Sequence, residues 1–506
     1  MKAPDLHDIA ARIDAARVYA LAARTPLQYA PKLSDELGRN VWLKREDLQD
    51  VFSFKIRGAA NRMAALKDDE KARGVCAASA GNHAQGIAKA AAYHGVDALI
   101  FMPVTTPAIK VAAVEARGAK TRLVGDTYDD ACTAALDYAK ETGAVFIHPF
   151  DELDVIAGQG TVGKEILNDA PRKVAAIYVC TGGGGLVSGI GTYAKVHSPD
   201  TQIFAVEPSG AATLAAARQA GQPTPLNHVD GFADGVAVRT FGAKTYAICE
   251  QVVDGCVQVS NDEISAAVRD IFELTRTVVE PAGALALAGL RRSVADGTAP
   301  EGDCVVTVSG ANVNFDRIGH IVERAELGAG EEMLFSAIIP EQRGAFRKFV
   351  EALGHRAVTE FSYRYRDASE AGLLVGLKIK SGAERDDVMA ALAAAGVEAH
   401  DLSGDSLAKR HLRHMGGGFT ISDVPEVIYR VEFPERPGAL GQFLTALDAR
   451  WNISLFHYRN HGAAEGHVLC GFQLPNDDKV ALEESLTDIG FPVWEETENP
   501  ATKLFL

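Results

Sequence analysis

The sequence lacks the features that mark several large classes of protein. Its 506 residues include seven cysteines, an odd number, and no Cys-X-X-Cys pair. This usage favours reduced intracellular thiols over a disulfide framework or a zinc site. No stretch approaches about 18 uncharged apolar residues, and the first residues do not form the apolar core of a signal peptide. We therefore expect no membrane segment and a cytoplasmic location.

Clusters of positive charge are also missing. Lysine and arginine total 51 against 67 acidic residues, which gives a formal net charge of -16, and the basic residues are dispersed. Nucleic acid is therefore not an expected partner. Apolar residues make up 47% and charged residues 23% of the chain, which is ordinary for a globular protein with large cores. The length predicts about three domains.

Short apolar runs alternate with alanine-rich helical segments up to about residue 325. This rhythm predicts an α/β fold whose largely parallel sheet is covered on both faces and binds ligands beyond the carboxyl ends of its strands. The apolar runs lie at 41–44, 74–79, 98–103, 144–149, 174–182 and 201–208, and the helical segments include 82–94, 106–118 and 127–142.

An internal repeat follows a change in composition at 323–332. The segment at 338–346 matches the one at 431–440, and each begins with a strand that ends in Pro-Glu. Each copy continues as helix, two strands, helix and strand, so the order βαββαβ occurs twice. The glycine-rich segment at 414–426 is typical of a linker between the copies.

The first candidate for chemistry is Lys55, in the segment Ser-Phe-Lys-Ile-Arg-Gly-Ala at 53–59. It follows a predicted strand and opens a predicted helix. A lysine among apolar neighbours loses its charge through desolvation and can then act as a Schiff-base amine. The alternative is a surface lysine near a helix start, and the segment alone does not decide between them.

A second segment, Ser79-Ala80-Gly81-Asn82-His83, lies at another predicted strand-to-helix turn. Amides exposed at a helix amino terminus bind anions, and a substrate carboxylate suits such a place. The alternative is a plain helix cap by Ser79 or Asn82. A lone histidine such as His83 is more often packed than catalytic.

A third segment has four consecutive glycines after a predicted strand, in Thr181-Gly182-Gly183-Gly184-Gly185-Leu186. Such a run lets the backbone wrap a phosphate, and the following helix adds its dipole. The signal is weak alone because loops use glycine freely. The run lacks the Lys-Ser/Thr ending of a nucleotide loop and is not a clean Gly-X-Gly-X-X-Gly, so a phosphate without a nucleotide fits better.

Two further candidate site residues are suggested by their positions at the end of a predicted strand and the start of a predicted helix. Ser309 ends an apolar run within Val306–Asn314, which places it at the carboxyl end of a strand or in a simple turn. Glu280 precedes Pro281 at the start of a predicted helix, where a carboxylate could merely compensate the helix dipole.

In this order and spacing, the segments around Lys55, Asn82, the glycine run and Ser309 resemble those of fold-type II pyridoxal-phosphate enzymes, and closely resemble biosynthetic threonine dehydratases. The resemblance covers essentially the whole chain. It implies a catalytic domain like the tryptophan synthase β-subunit, with two sub-lobes, at 1–325. Two ferredoxin-like (βαββαβ) ACT-like regulatory domains are implied at 332–413 and 425–506.

The resemblance also implies how pyridoxal 5'-phosphate is held and used. Lys55 carries it as a Schiff base and moves the α-proton, while Ser309 faces the pyridine nitrogen. A serine there does not stabilise a protonated ring nitrogen as an aspartate would, which favours β-elimination over transamination. The other implied cofactor residues are Phe54 beside the ring, Asn82 at the 3-hydroxyl oxygen, and the amides of Gly182, Gly183, Gly184, Gly185 and Leu186 at the phosphate.

Substrate residues are implied at Ser79, Ala80 and Gly81, which shape the site for the substrate carboxylate. Related serine racemases have a second serine where this chain has Ala80, and alanine carries no proton, so racemisation is disfavoured. Relatives with a cation site have an aspartate where this chain has Thr213, after Glu207 and Ala211. We therefore expect no metal.

The implied reaction converts L-threonine to 2-oxobutanoate and ammonia, the first step of isoleucine biosynthesis, with L-serine as a second candidate substrate. Isoleucine would inhibit through the paired regulatory domains and valine would oppose it. Tyr363 and Tyr458 occupy equivalent places in the two repeats and are the candidate effector contacts, although ordinary strand packing explains them equally well. The resemblance implies a homotetramer.

Two alternatives stay open. One is a serine dehydratase, a serine racemase or a β-replacement synthase of the same fold, against which Ala80 and the regulatory pair argue. The other is a non-catalytic amino-acid sensor, against which the retained Lys55, Asn82, glycine run and Ser309 argue.

Overall fold

The computed structural model describes residues 4–340, 345–354, 356, 358–365, 370–380, 382–412, 425–434, 443, 446–447, 450–459, 465–475 and 478–505. The chain divides into two compact units, Met1–Ala325 and Glu326–Leu506.

The first unit contains two sheets. Six strands form the larger one in the order β1-β2-β10-β7-β8-β9, and four form the smaller one in the order β5-β4-β3-β6. Every pair is parallel except β1 with β2. The strands are β1 (Leu27–Tyr29), β2 (Val41–Arg45), β3 (Val75–Ala78), β4 (Ala98–Met102), β5 (Lys120–Leu123), β6 (Val145–Phe146), β7 (Val174–Cys180), β8 (Gln202–Pro208), β9 (Gly255–Val259) and β10 (Asp303–Val308).

Helices accompany these strands as the alternating pattern predicts. They are α1 (Leu6–Asp14), α2 (Pro31–Leu37), α3 (Lys55–Ala65), α4 (Asp68–Arg73), α5 (Asn82–His94), α6 (Ala108–Glu115), α7 (Tyr128–Thr142), α8 (Leu153–Asp169), α9 (Gly185–His197), α10 (Thr213–Ala220), α11 (Ala243–Val252), α12 (Asn261–Thr275), α13 (Pro281–Ala295) and α14 (Asp316–Gly328). The central strands β7 and β10 are almost wholly buried, as expected for a parallel sheet covered on both faces. This confirms the predicted α/β class.

Two boundaries differ from the sequence-based expectation. The run at 144–149 is a strand only over Val145–Phe146. Beyond it His148 Nδ1 accepts hydrogen bonds from the backbone amides of Phe150 and Asp151 at 3.3 and 2.9 Å, which turns the chain out of the sheet. The helix expected at 106–118 begins only after Pro107, because proline fits the first turn but not a helix interior.

A buried ion network anchors the start of α3. Arg57 Nε lies 2.7 Å from Glu46 and its Nη1 lies 2.6 Å from Glu165, whose second oxygen lies 2.6 Å from Lys44 Nζ. All four side chains are at most 2% exposed. Burial alone would raise the pKa of Glu165, but hydrogen bonds and charge from Arg57 and Lys44 outweigh it and lower that pKa. Two cations therefore balance two anions inside the core.

The second unit contains the repeat. Its two four-stranded sheets have the matching orders β12-β13-β11-β14 and β16-β17-β15-β18 and pair only antiparallel. The elements are β11 (Glu332–Pro340), α15 (Ala345–Leu353), β12 (Val358–Tyr365), β13 (Glu370–Lys378), α16 (Gly382–Ala394), β14 (Glu398–Asp401), α17 (Ser406–Arg410), β15 (Glu426–Pro434), β16 (Asn452–Arg459), β17 (Glu465–Gln473), α18 (Lys479–Asp488), β18 (Val493–Glu495) and α19 (Pro500–Phe505).

The register of these strands supports the repeat residue by residue. Pro340 pairs with Glu370 in the first copy, and Pro434 pairs with Glu465 in the second. The sheet order of the first copy is that of a ferredoxin-like unit, which confirms the predicted class of the regulatory part. Residues 414–424 of the predicted linker at 414–426 lie outside the described residues. Among the helices that the structure describes, none is long and apolar enough to cross a membrane.

The ion network yields a stability prediction. Replacing Arg57 by alanine leaves Glu46 and Glu165 charged and short of a partner in the core, so Arg57→Ala should lower the free energy of unfolding by about 3–5 kcal/mol. Urea denaturation followed by circular dichroism measures this. Arg24→Ala is the control, because its ion pair with Asp169 is largely exposed and should matter little. Equal effects of the two variants would contradict the assigned role of the network.

Candidate active site

Lys55 is the first residue of α3. Its Nζ donates to the backbone carbonyl of Pro149 at 3.0 Å and lies 5.3 Å from the centre of the Phe54 ring. The Phe54 amide donates to the carbonyl of Ser309 at 3.1 Å, and Ser53 forms a β-bridge with Gly310. The segment at 53–55 is therefore held directly against the turn that follows β10.

The environment of Lys55 favours a neutral amine. Burial among apolar groups lowers the pKa of Lys55 from 10.5 to about 8, although the nearby Cys180 and Glu280 act in the opposite direction. The residue as a whole is partly exposed. A lysine with these properties can act as a nucleophile or a base near neutral pH.

The glycine run lies between the end of β7 and the start of α9. Gly184 is the residue before the helix and has a φ of +92°, which favours glycine. A Cβ at Gly183 would collide with the Phe150 ring, and one at Gly182 would lie 2.8 Å from the Val236 backbone. Only glycine therefore fits this path of the chain.

The amides of this loop are oriented for an anion. Thr213 Oγ1 donates to the Gly182 carbonyl at 3.2 Å, and Thr245 Oγ1 donates to the Gly183 carbonyl at 2.7 Å. Within the described residues, the amides from Gly182 to Leu186 donate to no other protein group. Unpaired amides at a helix amino terminus form a phosphate site, so the loop fits a phosphate group.

Asn82 lies at the start of a helix, and Ser309 lies just after the end of a strand. Asn82 is the first residue of α5, where its Nδ2 donates to Glu280 Oε1 at 2.6 Å. Ser309 follows β10, is 1% exposed, and donates to the carbonyl of Ala282 at 3.1 Å. Since β10 pairs with β7 in parallel, Ser309 and the glycine run begin at the same edge of the sheet.

Glu280 is a site residue that sequence reasoning treated only as a dipole partner of a helix. It is 3% exposed, and burial together with the charge of Asp234 raises its pKa to about 7. Its apolar neighbours in the sequence, Val278 and Val279 before it and Pro281 and Ala282 after it, were the available signal. A carboxylate inside such a run is seldom on the surface.

The predicted substrate segment, Ser79-Ala80-Gly81, immediately precedes α5. Ser79 Oγ accepts a hydrogen bond from the Gly81 amide at 3.2 Å, and Ser79, Ala80 and Gly81 are all partly exposed. The neighbouring His83 is buried with its Nε2 at 3.1 Å from the Ile147 carbonyl, and burial lowers its pKa to about 3. His83 is therefore a neutral packed histidine at physiological pH.

The predicted departure from a cation site has a structural counterpart at Glu207. Its carboxylate accepts hydrogen bonds from the amides of Leu214 and Ala215 at 2.7 and 3.0 Å, at the start of α10. Thr213 Oγ1 lies 3.4 Å from the same carboxylate. In the part of the chain that the structure describes, no group of three or more His, Cys, Asp or Glu could hold a metal ion.

The candidate effector residues are placed only by their backbones. Tyr363 pairs with Leu373 and Tyr458 pairs with Val468. Leu373 lies three residues after Glu370, which pairs with Pro340. Val468 likewise lies three residues after Glu465, which pairs with Pro434. The two tyrosines therefore occupy equivalent positions. Their side chains lie outside the described residues.

The lowered pKa of Lys55 gives a prediction for the enzyme freed of cofactor. Reductive methylation requires a neutral amine, so its rate at Lys55 should rise to half-maximum near pH 8, well below the value of about 10.4 for an unperturbed lysine. Peptide mass spectrometry across pH measures this, with the exposed Lys67 as an internal reference. A half-maximum above pH 10 would contradict the desolvated environment.

Comparison with known proteins shows the family to which the chain belongs. Residues 18–310 match the family model described as pyridoxal-phosphate dependent enzyme, and residues 323–412 and 418–506 match the C-terminal regulatory domain of threonine dehydratase. The chain is 45% identical to L-threonine dehydratase biosynthetic IlvA of Burkholderia multivorans over 503 residues, 99% of both chains. It is 44% identical to the Escherichia coli protein of that name, over 97% of this chain and 95% of the other.

Solved structures are similar to this chain over about two thirds of its length. The processed form of threonine deaminase isoform 2 from Solanum lycopersicum is 44% identical with a TM-score of 0.62, over 63% of this chain and 93% of that one. Maize serine racemase is 32% identical with a TM-score of 0.59, over 63% and 97%. The chain therefore belongs to the biosynthetic threonine dehydratases, a family of pyridoxal-phosphate-dependent enzymes with carboxyl-terminal regulatory domains.

Proposed function

We propose that this chain converts L-threonine to 2-oxobutanoate and ammonia, the first step of isoleucine biosynthesis. The observation that carries the proposal is the position of the desolvated Lys55 amine. Pro149 and Phe150 connect it to the unpaired amides at 182–186. Lys55 Nζ bonds the Pro149 carbonyl, and the next residue, Phe150, packs against the glycine loop. This chain also matches a biosynthetic threonine dehydratase along 99% of its length.

Pyridoxal 5'-phosphate fits the residues of this site. The amides of Gly182, Gly183, Gly184, Gly185 and Leu186 would hold its phosphate, Asn82 would hold its 3-hydroxyl oxygen, Phe54 would flank its ring, Ser309 would face its pyridine nitrogen and Lys55 would bind it covalently. When bound, the cofactor supplies an electron sink for the charge that develops at the substrate α-carbon.

The chain's own groups then divide the work. Lys55 accepts the α-proton, because a pKa of about 8 leaves part of the amine neutral at physiological pH. Ser309 carries no charge, so it does not stabilise a positive charge on the ring nitrogen as an aspartate would. The segment Ser79-Ala80-Gly81, immediately before α5, orients the substrate carboxylate together with the helix amino terminus.

Serine chemistry is the second candidate, because maize serine racemase is 32% identical over 63% of the chain. Ala80 argues against racemisation, since its methyl group has no proton to exchange on the second face of the substrate. L-Serine would instead undergo the same elimination as L-threonine.

For the carboxyl-terminal unit we propose feedback inhibition by isoleucine, opposed by valine, with Tyr363 and Tyr458 as effector contacts. The equivalent register of the two tyrosines supports a paired site. Inhibition requires that isoleucine bind two states of the protein with different affinity. The homotetramer and the cytoplasmic location stay predictions.

Lys55→Ala tests the reaction. The variant should bind no cofactor covalently, lose the visible Schiff-base absorption and produce no 2-oxobutanoate from L-threonine, because nucleophile and base are both removed. Absorbance spectra and a coupled 2-oxo acid assay measure this. A colourless but active enzyme would overturn the proposal. D-Serine as the main product from L-serine would favour the racemase, and tight isoleucine binding without any turnover would favour a sensor.

The effector proposal is tested by Tyr363→Ala and Tyr458→Ala. Each should raise the isoleucine concentration for half-inhibition by about tenfold, the coupling typical of one lost contact. The rate without effector should stay at the wild-type value, because both residues lie in the second unit. Tyr93→Ala, at an exposed position on α5, is the control. Unchanged inhibition in both variants would remove the tyrosines from the effector site.

A further inference from the structure

The Asn82 amide lies in the middle of a chain of hydrogen bonds between three separate elements. Asn312 Nδ2 donates to the Val51 carbonyl at 2.8 Å and to Asn82 Oδ1 at 2.6 Å. Asn82 Nδ2 donates to Glu280 Oε1 at 2.6 Å. Asn82 begins α5, Glu280 immediately precedes α13, and Asn312 follows β10.

This series of hydrogen bonds determines which way the Asn82 amide faces. Rotating the amide by half a turn would set its NH2 group against the NH2 group of Asn312, two donors in contact. The same rotation would set its carbonyl oxygen against Glu280 Oε1, two acceptors in contact when the carboxyl group is ionised. Two matched hydrogen bonds would become two mismatched contacts in a partly or fully buried place, where unpaired polar groups are costly.

The backbone around Glu280 is shaped to admit its carboxyl group. A Cβ at Gly310 would lie 2.5 Å from Glu280 Oε1. A Cβ at Gly235 would lie 3.5 Å from the same oxygen and 3.7 Å from Asn82 Nδ2. The missing side chain at Gly310 therefore leaves room for the carboxyl group beside Asn82, whereas a Cβ at Gly235 would make only an ordinary contact with it.

We propose that Asn312 and Glu280 are positioning residues that fix the Asn82 amide as a hydrogen-bond donor toward the 3-hydroxyl oxygen of the cofactor. One Nδ2 hydrogen is taken by Glu280, and the second remains for the cofactor. A donor at that oxygen favours its anionic form. The inference rests on the proposed function, since it assigns to Asn82 the role of contacting this oxygen.

The test reverses the direction of the hydrogen bonds that Asn82 makes with residues 312 and 280. In the double variant Asn312→Asp with Glu280→Gln, residue 312 can only accept and residue 280 can donate, so the Asn82 amide should turn and present its carbonyl to the cofactor. The readout is the absorption spectrum of the holoenzyme at constant pH, as the ratio of the visible band (anionic oxygen) to the near-ultraviolet band (protonated oxygen). The ratio should fall by about tenfold, the size of one lost hydrogen bond.

Single variants separate positioning from a general loss of structure. Glu280→Gln alone should keep the wild-type ratio, because its Oε1 still accepts from Asn82 and Asn312 still donates. Asn312→Ala should give an intermediate ratio. Asn82→Ala removes the donor and leaves Asn312 and Glu280 unchanged. The band ratio of the double variant should fall at least as low as the ratio of Asn82→Ala.

The outcomes distinguish this inference from the proposed function. A wild-type ratio in the double variant, or an equal fall in Glu280→Gln and the double variant, would overturn the positioning roles. If the double variant fails to fold, a wild-type ratio in Asn82→Ala would overturn the inference by itself. A wild-type holoenzyme without any visible band would instead contradict the proposed function.

Discussion

The rest of the catalytic unit depends on the buried ion network around Arg57. Arg57 lies two residues after Lys55 on α3, about 200° around the helix axis, so the two side chains point to opposite sides. One side is fixed by Glu46 and Glu165 with Lys44, and the other carries Lys55, whose amine donates to the Pro149 carbonyl. A buried ion pair adds little stability compared with apolar packing but is costly to break, and this one ties the first turn of α3 to β2 and α8.

Backbone proximity shapes the other half of the site. The glycine run fits against Phe150 and Val236 only because it has no side chains, and its carbonyls are held by Thr213 and Thr245. The amides are therefore left for an anion. Since β7 and β10 are parallel neighbours, the glycine run and Ser309 emerge at one edge of the sheet, and the Phe54 amide beside Lys55 donates to the Ser309 carbonyl there.

Much of this was predictable from local patterns. The apolar runs and alanine-rich segments predicted β7 and the helix Asn82–His94, because burial and helix propensity act over a few residues. The shortened strand at Val145–Phe146 was not predicted, since it depends on the His148 ring accepting two amides. Glu280 was undervalued for the same reason: its partner Asn82 is 198 residues away. The roles of individual site residues rest on resemblance and on this geometry, and they stay proposals.

The central claim is that one chain joins threonine elimination at Lys55 to control by its repeated carboxyl-terminal unit. The most direct measurement is the rate of 2-oxobutanoate formation from L-threonine by the purified full-length holoenzyme, titrated with isoleucine. Turnover should fall to a small fraction as isoleucine is added and recover when valine is added. No 2-oxobutanoate at any threonine concentration, or turnover indifferent to isoleucine, would contradict it.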